Sequence, residues 1–304
     1  MAVIFERVAI LGAGLIGASI ARAVKAAGVA GAVAIYDSDA DVRTRAAALA
    51  LGEVCESAAA AAAGADLVVL AVPVGAMADA AAAAAPAIMA GAIVTDAGSV
   101  KRAVADAVAP LIPAHAVFVP GHPLAGTEHS GPEAGFASLF QNRWLILTPL
   151  GASAAENEAV VKLRAFWEAL GARTEVMDAD RHDVVLAVTS HLPHLIAFNI
   201  VAMAEDLETV SESEVVKYSA SGFRDFTRIA ASDPTMWRDV FLNNREAVLE
   251  VLGRFSEDLS ALQKAIRWGD GQTLYDLFDR ARRMRREVIE AGQDTPEPNW
   301  GRDG

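Results

Sequence analysis

The sequence predicts an α/β domain, a doubly wound parallel sheet with helices on both faces, followed by an all-α domain. Three observations lead there. From Arg7 to about Thr148, short apolar runs alternate with alanine-rich helical stretches, the pattern of βαβ units. A glycine-rich turn follows the first of those runs. After "ARTEVM" no further strand-like run occurs, and helical periodicity dominates from Asp180 to about Ala291. The 304 residues suit two packed units, expected at 1–178 and 179–304, with a loose tail from about residue 292 in the Gly-, Pro- and acid-rich "GQDTPEPNWGRDG".

Taken in order, "VAILG" and "AVAIYD" are the first two strands, followed by "DLVVLAVP", "AIVTDAGS", "AVFVPGHP" and "WLILTP". The alanine blocks Ala58–Ala63 and Ala80–Ala85 sit where crossover helices belong, and alanine is the strongest helix former. In the second half, "HDVVLAVTSHLPHLIAFNIVAMAEDL" is too long and too apolar for a helix wet on one face. It predicts burial on several sides, with a homodimer interface through the helical domain as the natural candidate.

Composition excludes several classes. A net charge of −13 repels nucleic acid and anionic membranes, so no partner of either kind is expected and an anionic small substrate needs local positive groups. The longest uncharged run, Ala80–Thr95, is short for a bilayer span and is broken by Pro86 and Gly91. A single cysteine, Cys55, excludes an internal disulfide framework and fits a reducing, cytoplasmic location. It reads as a small buried residue rather than a reactive thiol.

Gly12-Ala13-Gly14-Leu15-Ile16-Gly17 directly follows "VAIL" and opens the helix "LIGASIARAVKAAG". Strand, glycine turn and helix N-terminus together form the cradle of a dinucleotide pyrophosphate, so the first domain is read as Rossmann-like. Asp37, at the end of the second strand, stands where a carboxylate accepts the adenosine ribose hydroxyls and repels a 2′-phosphate. NAD is expected over NADP, with Arg43 a turn later as the one feature that could reverse the preference. Val72 and Pro73, in "AVPVGA", end a later strand on the ligand-binding rim.

The stretch "GHPLAGTEHSG", Gly121–Gly131, places a histidine between glycine and proline. Packing alone does not call for that composition. An imidazole titrates near neutrality and suits proton acceptance from a hydroxyl, and Pro123 restricts the backbone of His122. A buried, hydrogen-bonded structural histidine is the plainer alternative. Further clusters are "TDAGSVK" (Thr95–Lys101), "SHLPH" (Ser190–His194) and "SGFRDFTRIA" (Ser221–Ala230). His191 and His194 are three apart, but "HLPH" lacks the HExxH order and no metal is expected.

The order of these motifs, ending with Trp237, resembles the prephenate/arogenate dehydrogenase family over nearly the whole chain. The resemblance implies oxidative decarboxylation of a cyclohexadiene carboxylic acid, with hydride passing to NAD as the ring aromatises. It implies that His122 accepts the hydroxyl proton and that Ser99 orients hydroxyl and imidazole, or alternatively caps a helix. It further implies that Arg228 clamps the ring carboxylate, or sits in a surface ion pair, and that His194 and Trp237 line the side-chain pocket. Thr127, Glu128, Ser221 and Glu133 complete the expected substrate contacts. Glu128, and still more Glu133, raise the substrate question, because a carboxylate there would favour the ammonium of arogenate over the ketone of prephenate. Where many members carry glycines before Phe-Arg-Asp, this chain has Ser219-Ala220-Ser221-Gly222. A monofunctional enzyme is expected, without a fused mutase or regulatory domain.

Two other readings compete. A β-hydroxyacid dehydrogenase would need a lysine in the helical half, where Lys217 lacks a matching motif. A non-catalytic NAD(H)-binding regulatory module would need none of Ser99, His122 and Arg228.

Overall fold

The structure is a computed structural model that describes residues 2–151, 157–206, 214 and 217–291. The tail expected from about residue 292 lies outside the described residues. The described residues form two compact units, divided between Val248 and Leu249.

The first unit is built on a six-stranded, all-parallel sheet. Its strands are β1 (Phe5–Leu11), β2 (Ala30–Tyr36), β3 (Glu53–Val54), β4 (Leu67–Leu70), β5 (Ile93–Asp96) and β6 (Val117–Phe118). They lie in the order β3-β2-β1-β4-β5-β6, the doubly wound arrangement whose order reverses between β1 and β4. Both faces are covered, which is why these strands read as unbroken apolar runs rather than alternating ones. Along β1, Val8 and Ile10 join a core with Phe166 and Trp167 of helix α6 (Glu158–Ala169), whereas Ala9 and Leu11 pack on the opposite face. That second face is covered by the alanine-rich helices α3 (Ala58–Ala62) and α4 (Met77–Ala84), whose small side chains bring helix and strand close. Cys55 is buried in this core.

One expected strand divides in two. "AVFVPGHP" supplies β6 and then, past Val119-Pro120, β7 (Gly121–Pro123). β7 pairs antiparallel with β8 (Trp144–Leu147), which runs parallel to β9 (Arg173–Val176), so "WLIL" belongs to a separate three-stranded sheet. Pro120 cannot donate to a ladder; its carbonyl instead accepts from Thr148 N–H at 2.9 Å, where the chain passes between sheets.

Helix α7 (Ala179–Leu186), a π-helical turn (Ala187–His191) and α8 (Leu192–Asp206) form one continuous apolar rod. By length and composition it could cross a membrane. It nevertheless carries buried His182, Asp183 and His191, each bonded within the first unit. In the second unit, Asp270 caps the helix Gly271–Glu290 by accepting from Thr273 N–H.

Candidate active site

The turn after β1 is shaped by what cannot fit. Gly12 has φ +102°, and a Cβ there would lie 2.4 Å from the Ala71 carbonyl oxygen; a Cβ on Gly17 would lie 1.9 Å from the Gly12 oxygen. Gly14, by contrast, faces open space and heads helix α1 (Leu15–Ala27) without a side-chain cap. A helix N-terminus with uncapped N–H groups and room beside it fits a pyrophosphate. Asp37 anchors the turn, its Oδ2 accepting from Ala13 N–H at 2.8 Å and its Oδ1 from Asp39 N–H at 3.0 Å. The Arg43 guanidinium lies over Tyr36 and donates to the Asp37 and Ser38 carbonyls at 2.8 and 3.1 Å.

Gly14, Leu15 and Ile16 open on a cavity of about 520 Å³ whose rim also includes Val72, Pro73 and Ser99. His122 lines the same cavity, held in β7 and only 8% exposed. Its Nδ1 lies 2.8 Å from His182 Nε2, and His182 Nδ1 lies 2.7 Å from Asp183 Oδ1. The Asp183 carboxylate also caps helix α5 (Arg102–Val108), accepting from Lys101 N–H at 2.8 Å and Arg102 N–H at 2.9 Å. Asn244 donates to the Asp183 carbonyl and toward His191 Nδ1, at 2.8 and 3.0 Å. Beneath β7, the wholly buried Lys101 pairs with Asp96 and donates to the Gly121 carbonyl at 2.6 Å. Gly121 N–H donates back to Asp96 Oδ1 at 3.1 Å.

Burial sets the electrostatics. It pushes His122 well below the ordinary histidine range, aided by His182, Lys101 and His191, so the ring is held neutral as a proton acceptor must be. Burial also lowers His182, against the pull of Asp183, and takes His191 down to about 4. Desolvation lowers Lys101, with Asp96 opposing. Glu128 is lowered chiefly by a backbone hydrogen bond, with the Arg228 guanidinium adding to it.

The structure brings some expected residues together and leaves others apart. Gly14, Leu15, Ile16, Val72, Pro73, Ser99, His122, Thr127 and Glu128 line one cavity. Arg228 reaches its rim through Glu128, 3.0 Å away. Trp237 is buried and stacks on His194 at 3.7 Å, behind the cavity-lining Met236 and Val240. Ser221 is exposed at the start of its helix and does not line the cavity. Nor does Glu133, which pairs with Arg45 at 2.8 Å. Ser99 is not the N-cap of α5, a place taken by Lys101. His191 and His194 part company, one bonded to Asn244 and the other to the Ser190 carbonyl. Lys217 is exposed and lies over the Tyr218 ring.

Several members were missed. His182, Asp183 and Asn244 complete the network, and Ser232, Asp233 and Thr235 line the cavity from the helical side. Two signals were available: an adjacent His-Asp pair inside an apolar helix, and the Asp233-Pro234 helix start, where Asp233 accepts from Met236 N–H.

Dinucleotide cradle and buried ring open on the same space, and a neutral imidazole beside such a cradle is the arrangement of a dehydrogenase that deprotonates a hydroxyl as its carbon is oxidised. Residues 20–176 match the prephenate dehydrogenase nucleotide-binding domain, and residues 178–280 the prephenate dehydrogenase dimerization domain. The chain is 46% identical to a cyclohexadienyl dehydrogenase of Zymomonas mobilis, covering 93% of this chain and 96% of that one. Among solved structures, the prephenate dehydrogenase from Aquifex aeolicus in complex with hydroxyphenyl propionate and NAD+ superposes with a TM-score of 0.84 at 32% identity, over 93% and 98% of the two chains. The Synechocystis arogenate dehydrogenase gives 0.75 at 25%, over 93% and 100%. The chain belongs to the prephenate dehydrogenase family.

Proposed function

We propose that this chain catalyses NAD-dependent oxidative decarboxylation of prephenate, arogenate or both, giving 4-hydroxyphenylpyruvate or tyrosine with carbon dioxide. The observation that carries this is the shared cavity: residues of the glycine turn and His122 line the same space. Gly12 and Gly17 permit the tight turn and Gly14 leaves room for the pyrophosphate, Leu15, Ile16, Val72 and Pro73 flank it, and Asp37 selects the unphosphorylated ribose. Bound NAD supplies the hydride acceptor.

The remaining work falls to side chains of this chain. His122 takes the hydroxyl proton, and Ser99, on the same wall, orients the hydroxyl. Arg228 provides a guanidinium for the ring carboxylate once it exchanges Glu128 for substrate, a planar match of donors to oxygens. It should position the carboxylate without holding the ground state more tightly than the transition state, because only interactions that strengthen in the transition state speed the step. His194 and Trp237, stacked on each other, back the side-chain end of the pocket, which Thr127 lines. Glu128 is the carboxylate of the cavity that we assign to meet an ammonium, since Asp233, which also lines it, caps its own helix and Glu133 is engaged elsewhere by Arg45.

The division expected at residues 178 and 179 separates a nucleotide half from a helical half that we read as pairing two copies. Val184, Val188, Val201 and Met203 stand exposed along α7, the π turn and α8, as an unpaired subunit face would. A cytoplasmic enzyme fits a lone, buried cysteine. The test is direct: mix the protein with NAD and either substrate and follow absorbance of the reduced nicotinamide. No signal with either substrate would overturn the reading.

A further inference from the structure

We propose that His182 and Asp183 are positioning residues that fix His122 in its Nδ1–H tautomer, leaving Nε2 as the proton acceptor facing the reaction. The inference rests on the function proposed above for its consequence, but not for its geometry.

Direction follows from donors that can only donate. Asp183 Oδ1 accepts the main-chain N–H of Lys101, and Oδ2 that of Arg102. The oxygen that faces His182 Nδ1 at 2.7 Å is Oδ1, already an acceptor, so the proton between them sits on the ring nitrogen. A neutral His182 with Nδ1 protonated has a bare Nε2. That bare nitrogen lies 2.8 Å from His122 Nδ1, so the proton there belongs to His122. His122, neutral in its turn, is left with Nε2 bare.

The groups packed round the ring agree. Lys101, with Asp96, braces the backbone at Gly121, and its cation opposes a second positive charge on His122 at rest. His182 and Asp183 approach from α7, and His191 from the π turn. When Nε2 gains the hydroxyl proton, the ring carries two N–H groups. Nδ1–H then points at the lone pair of His182, whose own Nδ1–H rests on the Asp183 carboxylate. The positive charge is thus spread along a bonded chain that ends in an anion, without any bond to carbon being made. The logic is that of other acid–base sites, where a third group holds an imidazole in the useful tautomer.

His191 supplies an internal reference. The Asn244 amide must present its NH2 group to the Asp183 carbonyl, so that same group donates to His191 Nδ1 and makes His191 the Nε2–H form.

The test is histidine 15N NMR on the wild-type protein at neutral pH, with ring signals assigned by their loss in His122→Gln, His182→Gln and His191→Gln. Expected are Nδ1–H signals for His122 and His182 and the opposite pattern for His191. An Nε2–H or doubly protonated His122 overturns the inference, even if the protein turns over substrate. An Nδ1–H ring in a protein without turnover supports it and removes only the function. In kinetics, His182→Leu should lower kcat by roughly a hundredfold, within the usual range for impaired general acid–base catalysis, and move the acid limb of the pH profile, with substrate KM within about twofold. His182→Gln, whose amide can accept from His122 and donate to Asp183, should restore part of the loss. Unchanged kcat in His182→Leu would contradict the positioning role.

Discussion

Lys101 Nζ, wholly buried, donates to the Gly121 carbonyl at 2.6 Å. A sequestered cation therefore holds the backbone immediately before His122, and its partner Asp96 grips the Gly121 N–H from the other side. Gly121 suits the close packing there, since a Cβ would come within 3.1 Å of the Asp96 carbonyl oxygen and 3.2 Å of Thr95 Oγ1 and would press its neighbours aside. Lysine is rarely buried without a paired acid, and here the pair sits at the C-terminal end of β5, beside the strand that carries His122.

Removing one member of that pair strands the other in a low-dielectric interior. Lys101→Met is expected to destabilise the fold by about 3–5 kcal/mol, read by urea unfolding. A change under 1 kcal/mol, roughly the worth of an exposed pair, would mean that the pair is not held as described.

pH dependence follows from four histidines whose folded pKa values are lowered by burial, His122, His182, His191 and His194. Below about 6.5 the unfolded chain takes up protons that the folded chain refuses, so stability is full above that value and falls as the pH drops toward the folded values, near 4 for His191. Each group adds up to about 1.4 kcal/mol per pH unit in that window. Urea midpoints across the acid range check it, and a flat profile would be inconsistent with neutral buried rings. The acid limb of kcat/KM should likewise lie below the ordinary histidine range.

The proposed function assigns cofactor choice to Asp37. Asp37→Ser removes the carboxylate that repels a 2′-phosphate, while Arg43 remains beside the site on the Asp37 and Ser38 carbonyls. Relative kcat/KM for NADP over NAD should rise roughly tenfold or more, since like charges in contact cost several kcal/mol. An unchanged ratio would place the ribose elsewhere.

Substrate preference should follow Glu128 rather than Glu133. Glu128→Gln is expected to lower the arogenate share of kcat/KM, and Glu133→Gln to leave the ratio alone, because Glu133 is paired with Arg45. Arg228→Ala should cost roughly 1.5–3 kcal/mol of substrate binding, the worth of hydrogen bonds to a charged group. As Arg228 is itself exposed at the rim, stability should change by less than about 1 kcal/mol. Parallel kinetics with both substrates decide between the two glutamates.

Much of this was legible in the sequence because the signals are local. Strands covered on both faces are continuous apolar runs, and the glycine turn with Asp37 spans few residues. His122 stood out by its flanking glycine and proline. What could not be read depends on contacts across long separations. His182 meets His122 from 60 residues away, and Asp183 caps a helix from 82. Lys101 ends "TDAGSVK", yet nothing local says that a lysine is buried. Glu133 lies five residues beyond Glu128, but the short turn Pro132–Ala134 packs against helices α1 and α2 (Ala40–Ala48) and brings it to Arg45. The π turn that carries His191 inward leaves no mark in a helical pattern.

The central claim is that the His122 ring accepts the substrate's hydroxyl proton in a cleft that also holds the dinucleotide. Its most direct test is single-turnover formation of reduced nicotinamide by His122→Asn, with NAD affinity measured alongside. Expected is a fall of about 10²–10⁴-fold in the hydride-transfer rate, the usual range for loss of a general base, with NAD affinity unchanged. Turnover at the wild-type rate would contradict the account, and so would loss of NAD binding in place of loss of rate.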